Sequence, residues 1–258
     1  MPGSGDVKLG TGPVPYPVPE KAMVLAAGLG TRLRPVTETL PKPLVEIDGR
    51  ALIDHVLDRL DAAGIKEVVV NTHHLADQVE KQLEGRSSPK IRLSPEKELL
   101  ETGGGVAKAL GMLGNQPFFV VNVDALWLNG PFDALVRMTA TWDDGRMDGL
   151  LMLHSTVDAY GYRGIGDFCA DGNGLLTRRP EGEVSPWLFT GIQILHPRLF
   201  ADTPDGVFSL NILYDRVIEE KRLYGAVHDG EWFDVGTPEG LEEAETYMRL
   251  RFAGTKHR

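Results

Sequence analysis

Two hydrophobic textures alternate along the chain. Short unbroken apolar runs occur at residues 22–27, 68–70, 118–121 and 150–153. A run of small and β-branched apolar residues without polar alternation is the pattern of a strand buried on both faces. Between these runs, apolar residues recur at helical spacing. Leu52, Ile53, Val56, Leu57 and Leu60 form one stripe, stopped at Gly64; Leu75, Val79 and Leu83 mark a second helix, and Val106, Leu110 and Leu113 a third. A short strand is expected at 91–93 and a fourth helix at about 132–141. This alternation predicts an α/β, Rossmann-like mixed and mostly parallel sheet flanked by helices. Ligands bind such sheets beyond the carboxyl ends of the strands, so the residues just after each strand are the ones to weigh.

The second half is less regular. Residues 163–179 read as a hairpin around the turn Asp171-Gly172-Asn173-Gly174. Strands are expected at 188–195, 223–227 and 232–235, and helices at 211–221 and 239–251. No repeat or linker interrupts residues 21–258, which predicts a single domain with an elaborated C-terminal half, divided at about 155/156. Residues 1–20 are dominated by Gly and Pro without any period, the composition of a disordered or polyproline-like tail.

Charge narrows the function. The 258 residues carry 27 basic and 37 acidic side chains, a formal net charge of −10. Gripping a nucleic-acid backbone needs a basic face, so nucleic acid is excluded as a partner. No apolar run approaches a membrane span, and the N-terminus lacks a basic region followed by an apolar one, so the cytoplasm is the expected location, with no membrane partner. A single cysteine, Cys169, excludes an internal disulfide and a thiolate zinc cluster, and is expected to be a small buried apolar residue. A small anionic substrate stays open if a local basic site, with a metal, receives it.

Candidate chemistry follows the strand ends. The first run leads into Gly28-Leu29-Gly30-Thr31-Arg32-Leu33-Arg34-Pro35. Glycine lets backbone N–H groups approach phosphate oxygens with no Cβ in the way. Leu33 stands where a dinucleotide fingerprint wants Gly or Ala, and no Gly-Lys-Ser/Thr follows for a P-loop. Lys42 lies in Leu40-Pro41-Lys42-Pro43-Leu44, where two prolines stiffen the chain and aim the ammonium at one place. Glu101-Thr102-Gly103-Gly104-Gly105 reads as a loop feeding the third helix, suited to an anion or a flat ring. Asp124 and Asp234 each follow an apolar run; such residues cap and turn chains, but two carboxylates can also share Mg²⁺. His73 and His74 have no neighbouring ligand set, and Trp127, Trp142, Trp187 and Trp232 read as packing residues, Trp127 closest to Asp124.

The segment LAAGLGTRLRP followed by LPKPLVEIDGRALIDHVLDRLDAAGI resembles the nucleotidyltransferases that make nucleoside-diphosphate sugars, whose domain is glycosyltransferase-A-like. SPEKELLETGGGVAKAL, the short GDF hairpin, FTGIQILHP and WFDVGTPEGLEEAE extend the resemblance over nearly all of residues 21–250. The second half points, within the family, to the uridylyl transfer of cell-wall recycling; a mannose or glucose 1-phosphate enzyme using GTP, UTP or dTTP stays open. By matching position the resemblance implies that Arg32 and Lys42 are catalytic. It places Ala26, Ala27, Gly28, Gly30, Thr31, Asn71, Glu101, Thr102, Gly103 and Gly104 on the nucleotide. Asn122, Gly166, Asp167, Thr190, Gly191 and Asn211 would face the sugar phosphate, and Asp124 and Asp234 would hold Mg²⁺. Val123 departs from the glycine of many members. The family's Glu-Lys pair in the hairpin is replaced by Leu175-Leu176-Thr177-Arg178-Arg179-Pro180, so either arginine is a substitute for the phosphate lysine, or the two are a surface pair. The partners implied are a nucleoside triphosphate and a sugar 1-phosphate. Two other classes compete: a non-catalytic nucleotide-sugar-binding regulator, disfavoured by the joint presence of Arg32, Lys42, Asp124 and Asp234, and a nicotinamide-binding module, disfavoured by Leu33.

Overall fold

A computed structural model describes residues 17–252. Of the tail expected over residues 1–20, residues 1–16 lie outside the described residues. Residues 17–20 already belong to the folded body: Val18 packs against the core, and the Glu20 carbonyl accepts the amides of Lys66 and Glu67.

In chain order the elements are β1 (Lys21–Leu25), β2 (Glu46–Ile47), β3 (Arg50–Ala51), α1 (Leu52–Ala62), β4 (Glu67–Thr72), α2 (Ala76–Leu83), β5 (Lys90–Pro95), α3 (Glu101–Leu113), β6 (Phe118–Asn122) and β7 (Ala125–Leu128). They continue with α4 (Ala134–Thr141), β8 (Gly149–Ser155), β9 (Phe168–Ala170), β10 (Leu176–Arg178), β11 (Trp187–Leu195), α5 (Leu210–Glu219), β12 (Leu223–Val227), β13 (Glu231–Asp234) and α6 (Pro238–Phe252). The fourth helix starts two residues later than its periodicity suggests, because the Asp133 side chain caps it by accepting the amides of Leu135 and Val136 at 2.9 and 3.1 Å. The first strand ends at Leu25, because the Ala26 amide leaves the sheet and donates to the Asn71 side chain.

Strands β6, β1, β4 and β5 pair in parallel, in that order. β11 runs antiparallel to β6; β8 pairs antiparallel with β11, and β12 parallel with β8. The expected mixed, mostly parallel sheet results. Side chains alternate across it: Ala22, Val24, Val68, Val70, Phe119 and Val121 feed a cluster under α1, α2 and α4. Met23, Val69, Phe118 and Val120 feed another under α3 and α5.

Two small pairings were not legible from periodicity, the hairpin β2–β3 and the ribbon β7–β13. The predicted strand at 232–235 therefore does not enter the main sheet; it pairs with β7. A third cluster underlies that ribbon and α6, formed by Leu33, Val45, Ile47, Leu52, Leu126, Phe233, Val235, Ala244 and Met248. No helix among the described residues is long and apolar enough to cross a membrane.

The three glycines of Glu101–Gly105 lie inside α3 rather than in a loop before it. The amides of Gly103 and Gly104 donate to the Phe208 carbonyl at 2.9 and 3.0 Å, and Thr102 Oγ1 accepts the Leu210 amide at 3.0 Å. This straps residues 206–210 across the first turn of the helix. A Cβ on Gly104 would stand 2.1 Å from the Gly206 carbonyl oxygen. Gly104→Ala is therefore expected to cost about 1–3 kcal/mol by displacing that strap. At about 2–4 °C per kcal/mol for a chain of this size, a thermal melt should fall by several degrees. An unchanged melting temperature would show that the strap is not fixed by this contact.

Candidate active site

A cleft of about 170 Å³ opens at the carboxyl ends of β1, β4 and β6, where the sheet rule places ligands. Gly28 borders it, and nothing lies within 4 Å of where a Cβ on Gly28 would sit. Gly30 is different in kind. Its φ is +62°, and a Cβ there would meet Thr37 Cγ2 at 2.8 Å, so the loop can close only on glycine. Thr37 Oγ1 donates to the Gly30 carbonyl at 2.8 Å and fixes the turn. Thr31–Leu33 form a short 3-10 turn in which Leu33 is driven into the third cluster, while the side chain of Arg32 is left 59% exposed.

Lys42 opens another short 3-10 turn, with Pro41 and buried Pro43 on either side. Its ammonium pairs with Asp124 Oδ2, and both side chains are less than one-fifth exposed, at 16% and 19%. Arg32 Nη1 lies 3.8 Å from Asp234 Oδ2, and Asp234 Oδ1 accepts the Gly236 amide at 3.1 Å. In the ribbon β7–β13, Asp234 is opposite Ala125, the residue after Asp124. Two carboxylates far apart in sequence thus come to neighbouring positions, each facing one cation. Among the described residues no group of three or more His, Cys, Asp or Glu gathers into a metal cage. An oxygen-only pair of carboxylates beside an open cleft fits Mg²⁺, which is commonly bound by one or two carboxylates, waters and substrate phosphates.

Deeper in the cleft is a buried polar network. Asn71 is 3% exposed; its Oδ1 accepts the Ala26 amide at 2.7 Å and its Nδ2 donates to Glu96 Oε1 at 2.8 Å. Glu96, 6% exposed, accepts the Leu100 amide on its other oxygen at 3.1 Å. Gly105 makes room for this pair, since a Cβ would lie 2.9 Å from Glu96 Oε1 and 3.0 Å from Asn71 Nδ2. Glu96 was not among the sequence candidates. The signal existed: β5 runs to Pro95, past the expected end at 93, so Glu96 is the first residue beyond a carboxyl end. Glu101 and Thr102 line the cleft, and Glu101 has a φ of +62°. Gly103 and Gly104, which the resemblance places on the nucleotide, are buried and their amides donate to the Phe208 carbonyl. His73 and His74 tie loops together through the carbonyls of Glu96 and Thr37, each at 3.0 Å.

On the other side of the cleft, Asn122 reaches the position of Gly191, whose φ is +82° in a bulge of β11; a Cβ there would be 2.9 Å from Asn122 Nδ2. Thr190 is the next residue that the resemblance places on the sugar phosphate. It is buried, its hydroxyl donates to the Met152 carbonyl at 2.8 Å, and its carbonyl accepts Trp232 Nε1 at 3.1 Å, so it holds β11 to its neighbours. Gly166 is also buried, against the Ser185 carbonyl. Asp167 Oδ2 accepts the Phe189 amide at 2.8 Å, and Asn211 Oδ1 accepts Arg178 Nη2 at 3.0 Å. Arg178 further donates to Asp215 at 2.6 Å and lies over the Phe168 ring, 4.8 Å from its centroid. Arg179 donates to the carbonyls of Gly166, Pro180 and Glu183. Both arginines thus have structural partners. Trp127 is buried in packing, as its sequence context suggested, and Cys169 is only half-buried.

The loop after β8 joins this side to the carboxylate ribbon. The Tyr160 amide donates to the Trp232 carbonyl at 3.0 Å and its carbonyl accepts the Asp234 amide at 2.9 Å. The Tyr162 ring meets Trp232 edge-on, with centroids 6.3 Å apart, and its hydroxyl accepts the Gly166 amide at 3.0 Å. Burial, reinforced by the charges of Asp167 and Asp234, pushes the Tyr162 phenol above its usual range.

A mostly parallel sheet with a glycine loop at its first strand end, and two cations each facing a carboxylate, is an arrangement for phosphate chemistry. Residues 21–249 match the nucleotidyl transferase family, and the chain belongs to it. Within the family it is 45% identical to the N-acetylmuramate alpha-1-phosphate uridylyltransferase of Caulobacter vibrioides over 89% of this chain and 97% of that one. It is 31% identical to the mannose-1-phosphate guanylyltransferase catalytic subunit beta of Danio rerio, over 84% of this chain and 61% of that one. Among solved structures, a UDP-glucose pyrophosphorylase complexed with UDP-glucose shares the fold, with a TM-score of 0.74 and 20% identity over 90% of this chain and 99% of that one.

Proposed function

We propose that this nucleotidyltransferase moves the uridylyl group of UTP to N-acetylmuramate 1-phosphate, releasing pyrophosphate and forming UDP-N-acetylmuramate for peptidoglycan recycling. The observation that carries the reading is the 45% identity to a uridylyltransferase of that specificity, spread over 97% of its length. The guanylyltransferase likeness is weaker and covers less of its counterpart.

The chemistry asks little of proton transfer. A phosphate monoester has a second pKa of about 6, so the attacking sugar-phosphate oxygen is already ionised at neutral pH. It forms a bond to the α-phosphorus of UTP while the bond from that phosphorus to the bridging oxygen of pyrophosphate breaks. A cleft with no catalytic histidine suits such a displacement. Positioning and neutralisation of developing charge supply the rate. The open backbone at Gly28 and the turn closed by Gly30 receive the triphosphate, together with Ala27 and Thr31. Arg32 and Lys42 neutralise charge on it. Asn71, held by Glu96 and the Ala26 amide, lies with Glu101 and Thr102 on the side assigned to the base. Asn122 and the bulge at Gly191, with Asp167 and Asn211 further out, form the sugar-phosphate side. Asp124 and Asp234 would hold Mg²⁺, which when bound supplies further charge neutralisation on the phosphates.

Pyrophosphate release with Mg²⁺, over a matrix of nucleoside triphosphates and sugar 1-phosphates, tests the reading. The expected result is strong release only with UTP and N-acetylmuramate 1-phosphate. Release with another pair would reassign the substrates and keep the site; no release with any pair would leave a binding protein as the better account.

A further inference from the structure

N-acetylmuramate 1-phosphate differs from the commoner sugar phosphates in one charged group, the carboxylate of its lactyl ether. An overall acidic protein that selects this substrate needs a cation for that group besides those facing the triphosphate. Among the described residues after 155, six of the nine lysines and arginines are committed. Arg178 and Arg179 are held as described. Arg198 and Arg222 share Asp148, Arg216 donates to the carbonyls of Leu199 and Ala201, and Arg251 pairs with Glu231. Three cations are left without a hydrogen bond or ion pair to the described residues: Arg163, Lys221 and Arg249.

Position separates the three. Lys221 precedes β12, which runs parallel to β8, so it stands at the end of the sheet opposite the cleft. Arg249 lies in the last turns of α6, about 16 Å along the helix from Pro238 at 1.5 Å per residue. Arg163 follows the carboxyl end of β8, on the cleft's side of the sheet, and is exposed.

The loop that carries it is built rather than slack. Gly161, with a φ of +73°, packs so closely that a Cβ would be 2.9 Å from the Asp234 carbonyl oxygen and 3.0 Å from Gly240 Cα. The Tyr162 hydroxyl closes residues 162–166 by accepting the Gly166 amide, and a Cβ on Gly164 would collide with that hydroxyl at 2.3 Å. Arg163 is therefore displayed between two anchored glycines, two residues beyond the backbone that touches Asp234. We propose, resting on the muramate reading above, that Arg163 is a specificity-determining residue that binds the carboxylate of an acidic sugar 1-phosphate. A guanidinium presents parallel N–H donors that match a carboxylate in a bidentate pair.

The test is Arg163→Gln, with Arg163→Lys beside it. The parent enzyme is first assayed with UTP and N-acetylmuramate 1-phosphate; failure to use that sugar would defeat the functional reading, and this proposal with it. If it is used, Arg163→Gln should raise its KM about tenfold to hundredfold, the range for a lost hydrogen bond to a charged group. The KM for UTP and the melting temperature should stay at parent values, and Arg163→Lys should recover part of the loss. N-acetylglucosamine 1-phosphate, which lacks the lactyl carboxylate, serves as the control, measured by its inhibition of turnover. Its inhibition constant should be unchanged in Arg163→Gln. Equal weakening of both sugars would assign Arg163 to the phosphate, and no change in either would remove it from the site; both results overturn the proposal.

Discussion

Replacing Lys42 by alanine is expected to cut turnover at least about a hundredfold and leave the fold intact. A preorganised donor aimed at charge that develops in the transition state is worth roughly 3–4 kcal/mol, and each 1.36 kcal/mol is about a factor of ten in rate. Lys42 meets the condition of preorganisation. Its turn sits between two prolines and its backbone is tied by the Leu44 amide to Pro41 and by the Val45 amide to the Lys42 carbonyl. Neither tie uses the side chain, so the turn should survive the truncation. The readout is kcat from pyrophosphate release, with a thermal melt as control. A variant with parent-like kcat would remove Lys42 from the reaction.

Asp124→Asn is the second large effect: Mg²⁺-dependent turnover should be abolished, and Asp234→Asn should behave alike. An amide keeps the shape of the carboxylate and loses the charge that a hard cation requires. Activity alone could fall for other reasons, so a second measurement matters. Ligand that binds only the folded state raises its stability by RT ln(1 + [L]/Kd), and Mg²⁺ with UTP should therefore raise the parent's melting temperature more than UTP alone. That added increment should vanish in either asparagine variant. Retained Mg²⁺ dependence at a normal rate would count against both aspartates as ligands.

The parts of this site that could be read from sequence are those in which one short segment carries both the constraint and the chemistry. Gly28, Gly30 and Arg32 share a loop; Lys42 sits between its own prolines; Asp124 directly follows a strand made evident by Phe118-Phe119-Val120-Val121. What escaped depends on partners remote in the chain. Glycines at 103–105 announce that a Cβ is forbidden and are silent about what occupies the space, which proves to be Phe208, Gly206 and the Asn71–Glu96 pair. Thr190 lies in a polar island of the sequence, which does not disclose that its hydroxyl faces a carbonyl of the adjacent strand. The ribbon β7–β13 is four residues a side; its second strand is legible as an apolar run, but nothing in the periodicity marks β7 or pairs the two, so the neighbourhood of Asp124 and Asp234 is implied only by the family resemblance.

The third cluster gives the molecule a division of labour. Leu33 adjoins Arg32, Val45 ends the turn that begins at Lys42, Leu126 lies two residues after Asp124, and Phe233 and Val235 flank Asp234. Arg32, Lys42 and Asp234 thus adjoin this small cluster, whereas Val123 and Ala125, on either side of Asp124, belong to the first large one, which also holds the sheet to its helices. Alignment of three of the reacting charges is therefore separable from endurance of the main sheet, while that of Asp124 is tied to it. A library aimed at heat resistance should spare Val123, Ala125, Trp127 and Trp232 in the first large cluster, whereas one aimed at catalytic rate or metal preference has its steering there and in the nine buried positions of the third cluster.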